Sequence, residues 1–462
     1  MTKMYADLRE FISKLEEQGE LIHIKERLSP KFEISTVIKY FARTKNIALF
    51  FDDVENYEIP VVGNLLGSKE RLALALGVSE SEIVGRYLNC KEKRIKPVVV
   101  NDGPVRQKEL LNSVDITKTI PVLTHHEKDT SPYFTCAITM AKDPQTGLRG
   151  MGIHRIQIKD RNTVGIFLAT PPLSHFLAKS EAKGIPLEIA IVIGIDPITF
   201  FSSAVRAPFG IDKLEIAGSL AGRPIEIVKC RTVDLEVPAY AEFVLEGHTI
   251  PGKRQEEGPF GESTGYYFSY KSPVAEITAI SHRKNPIYQA LVPFSGEESV
   301  LVDLCGEMEH LKEMQKFYPF VRKIHLLNLG LIAVAQIKKE SEVDSRNIIH
   351  HLLSNPFVKI VIVVDDDIDP YDPEEVNWAV STRVRPERDV VIKENMDGLV
   401  IDPSTGEHKI SVDFFSTLTT KTSKLGIDAT KPLEEYERYA RIDVPEEIKS
   451  KVRPILDRYL PR

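Results

Sequence analysis

The chain has 462 residues, 42% hydrophobic and 27% charged, with 67 acidic against 60 basic residues and a formal charge of -7. This composition excludes disordered and fibrous classes, predicts more than one domain, and makes nucleic acid a poor partner. The four cysteines, Cys90, Cys136, Cys230 and Cys305, form no CxxC pair, which excludes a zinc knuckle or disulfide framework and fits a reducing, cytoplasmic compartment.

Residues Met1 to Glu20 read as an amphipathic helix, with Leu8, Phe11, Ile12 and Leu15 at helical spacing and Gly19 as its stop. Its acidic residues and lack of an apolar core argue against a signal peptide. Short apolar runs at Ile47 to Phe51 and Ile59 to Val62, then a helical stretch from Lys69 to Leu76 ending at Gly77, predict an α/β amino-terminal domain over residues 1–110. Loop-like text from Pro104 to Thr124 marks a linker.

From Tyr133 to about Pro293 short strands dominate: Phe134 to Met140, Gly152 to Ile158, Leu187 to Ile193, Ile225 to Val228 and Val274 to Ile280, with one helix over Leu173 to Lys183. This predicts a mostly β domain of barrel or sandwich type over residues 111–298. The remainder, 299–462, alternates again and predicts an α/β domain, with a buried strand Val358 to Val364 running into Asp365, Asp366 and Asp367. Its tail, Pro445 to Leu460, sets Ile448, Val452, Ile455, Leu456 and Tyr459 at helical spacing, the pattern of a helix that packs on a neighbouring domain or subunit. No apolar stretch approaches the ~20 residues a membrane span needs.

No GxGxxG follows a strand, which disfavours a nicotinamide enzyme. Gly247 to Lys253 imitates a phosphate loop, but Arg254 stands where Ser or Thr would bind magnesium and Pro251 removes a backbone donor. His125 and His126, like His350 and His351, are adjacent rather than three or four residues apart, and Asp365 to Asp369 lacks the Gly and terminal Glu of a calcium loop. The segment Glu256-Glu257-Gly258-Pro259-Phe260-Gly261-Glu262 is more informative. Two acids flank a tight Gly-Pro-Phe-Gly turn that can bring both carboxylates to one cleft. Such a pair divides labour between a charged positioning group and a neutral proton donor. On these residues alone, a charged hairpin tip is the competing reading.

Seven stretches together resemble the UbiD family of decarboxylases. They are Ser131-Pro132-Tyr133-Phe134-Thr135, Lys142-Asp143-Pro144-Gln145-Thr146-Gly147, Gly152 to Gln157 (GIHRIQ), Glu236 to Gly247 (EVPAYAEFVLEG), Glu257 to Tyr267 (EGPFGESTGYY), Trp378 to Arg383 (WAVSTR) and Gly426 to Pro432 (GIDATKP). The resemblance implies a mixed α/β and β (α+β) fold: an amino-terminal α/β domain, a central split β-barrel that binds flavin, and a carboxy-terminal α/β domain whose last helix joins a homo-oligomer, a dimer or hexamer. It implies reversible, non-oxidative decarboxylation of an α,β-unsaturated or aromatic carboxylic acid, using prenylated FMN made by a separate flavin prenyltransferase, with FMN itself an alternative occupant. In that scheme Arg155 holds the substrate carboxylate, Glu257 bonds that arginine, and Glu262 protonates the carbon left by CO2. Gly150, Ile153, His154, His175, Pro208 and Lys213 fall around the cofactor.

Two positions depart from the family pattern. Family members carry an asparagine five residues before the arginine and a glutamate four residues before an Ala-Gly pair, both ligating a divalent ion on the flavin phosphate. Here Gly150 and Lys213 stand there, and His175 aligns loosely with the third ligand. The expectation is therefore no divalent manganese or magnesium ligand set, with the Lys213 ammonium in the metal's place and a potassium ion still compatible. The same departures leave a second reading open, a noncatalytic subunit paired with an active homologue.

Overall fold

The computed structural model describes residues 5–90, 92–111, 114–405 and 419–459, so the expected helix and tail lose their extreme residues, Met1 and Leu460, from the description. The first helix runs Leu8–Glu17. Its N-cap Asp7 accepts the Glu10 amide, its apolar face buries Leu8, Phe11, Ile12 and Leu15, and Gly19 follows with φ +71°. The helix Lys69–Leu76 starts at a Ser68 cap and stops at Gly77 in the left-handed conformation.

The described residues build four sheets. Strands Leu21–Ile24, Ala48–Phe51, Val61–Gly63 and Tyr288–Ala290 make the first, in that order, so a strand from far along the chain closes the amino-terminal sheet. The largest has nine strands, with a spine formed by the antiparallel pair Phe243–Gly261 and Tyr267–His282. Pairing in this sheet runs from the strand Tyr133–Phe134 at one end to Arg149–Ile153 at the other. Glu236–Pro238, Glu226–Lys229 and Val98–Val99 make a third, small sheet. The last is a five-stranded sheet around Ile360–Asp365, which pairs in parallel with Ile332–Ile337 and Thr419–Ala429.

The first helix does not core a separate unit. Phe11 and Leu15 belong to one hydrophobic cluster with Ile138 and Met140 of the large sheet and with Phe201, Leu214 and Leu301. The carboxy-terminal sheet has its own core, with Val321, Ala335, Ile349 and Val363 among its members. The amino-terminal and central segments thus fold around shared apolar surface, while the last segment packs on them as a body with an interior of its own.

Two local departures from the sequence reading matter for the site. The run expected as one strand from Gly152 to Ile158 is two, Arg149–Ile153 and Ile156–Ile158, with His154 and Arg155 in the break. Two helices, Pro197–Ala204 and Lys213–Ala221, follow the strand Glu188–Ile193 where only strands were expected. The first is almost wholly buried, so it lacks the amphipathic stripe that announces a helix. The final helix Glu446–Tyr459 forms as expected, with Ile448, Ile455, Leu456 and Tyr459 all exposed. Among the described residues no helix is long and apolar enough to cross a membrane.

Candidate active site

Glu257 and Glu262 are five residues apart, which in a regular strand would put their side chains on opposite faces. The chain solves this with a bulge rather than the tight turn expected from Gly-Pro-Phe-Gly. Glu257 pairs with Tyr270 and Phe260 with Phe268, so one residue is extra on the first strand and the alternation shifts. Gly258, at φ +112°, carries the bulge, and a Cβ there would lie 2.6 Å from the Phe268 carbonyl oxygen. The hairpin tip itself comes later, where the Glu262 amide donates to the Tyr266 carbonyl at 2.8 Å.

Arg155 leaves the break between its two strands and meets both acids. Its Nη2 and Nε donate to Glu257 Oε2 at 2.6 and 3.2 Å, while Nη1 pairs with Glu262 Oε1. The Glu257 side chain is fully buried and that of Arg155 is 7% exposed. Buried charge of this kind persists only when paired, so Glu257 locks the guanidinium plane. Three rings complete the seat: the guanidinium carbon lies 4.2, 5.1 and 5.4 Å from the ring centres of Phe167, Phe260 and Phe268.

This arginine opens into a cavity of about 630 Å³. Gly150, Ile153, His154, His175, Pro208 and Lys213 all line it, as do Arg155 and Glu262; Glu257 stands behind Arg155 rather than on the wall. The size, the apolar walls and the cation at one end suit a flavin mononucleotide. At that end Lys213 begins the helix Lys213–Ala221, and its Nζ donates to the Ser203 carbonyl at 2.7 Å. Burial, assisted by the Lys213 charge, pushes the buried His154 down to about 4, so its imidazole is neutral at physiological pH.

The same residues do not suit a divalent ion. A Cβ on Gly150 would lie 2.7 Å from both Phe176 and Pro172, leaving no room for a ligating side chain there. Among the described residues no group of three or more His, Cys, Asp or Glu could hold a metal.

Several neighbours of the site were not apparent in the sequence. Asp129 Oδ1 accepts the Gly261 amide at 2.8 Å, and its Oδ2 accepts the amides of His125 and His126. The Thr130 amide donates to the Pro259 carbonyl at 3.1 Å, so the 125–130 loop clamps the bulge from outside. Phe167 and Phe268 carried no chemical motif, and Glu298, on the cavity wall in the first turn of the helix Gly296–Phe317, lay in no motif.

An arginine held between two carboxylates on the wall of one cavity can bind a carboxylate and keep an acid beside it. Family models described as the N-terminal, Rift-related and C-terminal domains of 3-octaprenyl-4-hydroxybenzoate carboxy-lyase match residues 12–91, 96–296 and 299–429. The chain belongs to this UbiD family and is a carboxy-lyase. It is 31% identical over 440 residues to anhydromevalonate phosphate decarboxylase of Methanothermobacter thermautotrophicus, covering 94% of this chain and 99% of the relative. Its structure is similar to that of the UbiD-class enzyme HmfF from Pelotomaculum thermopropionicum in complex with FMN, with a TM-score of 0.89, 38% identity, and 98% and 100% of the two chains covered. An evolved dimeric form of that enzyme, in complex with prenylated FMN, gives a TM-score of 0.85 and 36% identity over 99% and 100% of the two chains.

Proposed function

We propose that this protein catalyses reversible, non-oxidative decarboxylation of an α,β-unsaturated or aromatic carboxylic acid with prenylated FMN, supplied by a separate flavin prenyltransferase. The observation that carries the proposal is Arg155 held by Glu257 and ion-paired to Glu262 on the wall of one cavity. The family description, a hydroxybenzoate carboxy-lyase, and the relative named for anhydromevalonate phosphate support acids of these two kinds.

When bound, the prenylated flavin supplies the electron sink for loss of CO2. Gly150, Ile153, His154, His175, Pro208 and Lys213 would hold it, with Lys213 neutralising phosphate charge where relatives place a metal; no step is assigned to a divalent ion, and potassium remains compatible. The central nine-stranded sheet serves as the split barrel, within domains at 1–110, 111–298 and 299–462. The exposed helix Glu446–Tyr459 joins a homo-oligomer.

Each side chain then has one task. Glu257 occupies the Nε side of the Arg155 guanidinium and fixes its plane. The substrate carboxylate takes the remaining edge, displacing Glu262 from Nη1. Loss of that cation favours the neutral form of Glu262, which then delivers its proton to the carbon vacated by CO2.

Coexpression with a flavin prenyltransferase, absorbance spectroscopy and deuterium exchange into candidate acids test this reading. Glu262→Gln is expected to retain bound flavin and lose exchange; full activity in that variant would remove Glu262 from its role. A chain that binds neither FMN nor its prenylated form would instead be the noncatalytic subunit.

A further inference from the structure

The reaction consumes a proton at Glu262 in every turnover, and Glu262 lies 7% exposed on the wall of the cavity. Something must return that proton. The residue next to it, Ser263, contacts two carboxyls at once: its amide donates to Glu262 Oε2 at 3.0 Å and its hydroxyl donates to Glu298 Oε1. The other oxygen of Glu298 accepts the Phe294 amide at 2.8 Å.

We infer that Glu298 is the proton store of this active site, recharging Glu262 through the Ser263 hydroxyl. The inference rests on the decarboxylase reading above and adds to it a residue and a path.

Three features support the assignment. Glu298 lines the same cavity as Arg155 and Glu262, yet among the described residues no Lys or Arg forms a salt bridge with it. Burial pushes its carboxyl up to about 7, and Asp303, further along the same helix, adds to the rise; the Ser263 and Phe294 donors oppose it. Its position in the first turn of the helix Gly296–Phe317 would ordinarily favour the anion, so burial outweighs the helix end.

The other acidic and basic side chains lining the cavity are Glu262, Arg155, Arg149, Arg206, Lys213, His154 and His175. Lys39 and Arg43 stand over the Phe294 ring from the helix Glu33–Arg43. Phe294 is itself 41% exposed. Glu298, itself only partly buried and bonded to the amide of the exposed Phe294, is the carboxyl of the relay next to an exposed residue.

The protons balance. Glu262 gives its proton to the carbon that has lost CO2 and becomes a carboxylate. The Ser263 hydroxyl, after rotating toward Glu262, passes its proton to that carboxylate as its oxygen takes the Glu298 proton. Glu298 then takes one from solvent, so each turnover moves one solvent proton to product and the three groups return to their starting states.

The test uses the holoenzyme loaded with prenylated FMN, with cinnamate, 4-hydroxybenzoate and 3-methylbut-2-enoate as probes. For Glu298→Gln, kcat is expected to fall on the order of 10²-fold with KM little changed, and the fall in kcat above about pH 7 to disappear. Ser263→Ala should match it, and Ser263→Thr, which keeps a hydroxyl, should restore most of the rate. Independently of turnover, infrared titration of the flavin-free protein should show a protonated carboxyl band lost near pH 7 in wild type and missing in Glu298→Gln. Wild-type kcat and alkaline limb in both Glu298→Gln and Ser263→Ala would overturn the relay alone. A flavin-loaded wild type inert to all three acids would overturn the functional reading on which it rests.

Discussion

The Asp129 carboxylate accepts the amide of Gly261 at 2.8 Å, although 132 residues separate them. Its second oxygen accepts the His125 and His126 amides, so one buried side chain ties the loop carrying it to the bulge between Glu257 and Glu262. Asp129→Ala leaves three backbone donors without their acceptor, and each buried unsatisfied donor costs about 1–3 kcal/mol. The variant is expected to unfold at lower urea concentration than wild type and, under conditions where it remains folded, to lose kcat. An unchanged unfolding midpoint together with unchanged kcat would show that the loop does not hold the bulge.

Arg155 and Glu257 form a buried pair in which, among the described residues, Arg155 is the one salt-bridge partner of Glu257, while Arg155 also meets Glu262. Removing one member of such a pair costs about 3–5 kcal/mol because the other charge stays buried, whereas removing both costs far less. Arg155→Met should therefore be strongly destabilised, and the double variant Arg155→Met, Glu257→Gln should recover much of the loss while remaining inactive. Thermal unfolding of the four proteins measures the coupling. Additive effects would mean that the two side chains do not depend on one another.

How far the site could be read in advance follows from the range of the signals. Arg155, Glu257 and Glu262 sit inside contiguous motifs, so their selection as a group needed no knowledge of the fold, and the structure brings the three together. The way Glu257 and Glu262 reach one face was not, because Gly258 could equally mark a turn or a bulge until its partner strand, Tyr267–His282, is known. The helix Pro197–Ala204 stayed hidden because Ile198, Phe200 and Phe201 favour strands and burial on all sides erases helical periodicity. Glu298 was out of reach for another reason: its meaning depends on Ser263, 35 residues earlier, and on the shape of a cavity that no local pattern encodes.

Glu297, beside Glu298, accepts the Leu66 amide at 2.8 Å. Burial raises its carboxyl from 4.5 to about 7. Because the folded value lies above the unfolded one, its stabilising contribution is complete below about pH 4.5, declines as pH rises toward 7, and stays at its lower level beyond. A rise of this size corresponds to about 3 kcal/mol. Glu297→Gln, which cannot ionise, should lose less stability than wild type between pH 5 and pH 8. Equal losses in urea unfolding at the two pH values would place the titration elsewhere.

Lys213 stands where the family resemblance implies a metal ligand. Its ammonium is anchored by the Ser203 carbonyl at 2.7 Å, and Gly150, packed under Phe176 and Pro172, has no space for a ligating side chain. A fixed cation needs no coordination sphere, so FMN affinity should be indifferent to chelation. Titration of the flavin-free protein with FMN, followed by quenching of flavin fluorescence, should give the same Kd with and without EDTA. Lys213→Met removes a charge-assisted contact to phosphate and should weaken binding about tenfold to hundredfold, and more at low salt than at high salt. If EDTA weakened wild-type binding and added manganese restored it, while Lys213→Met bound FMN normally, the phosphate charge would be met by an ion and not by this lysine.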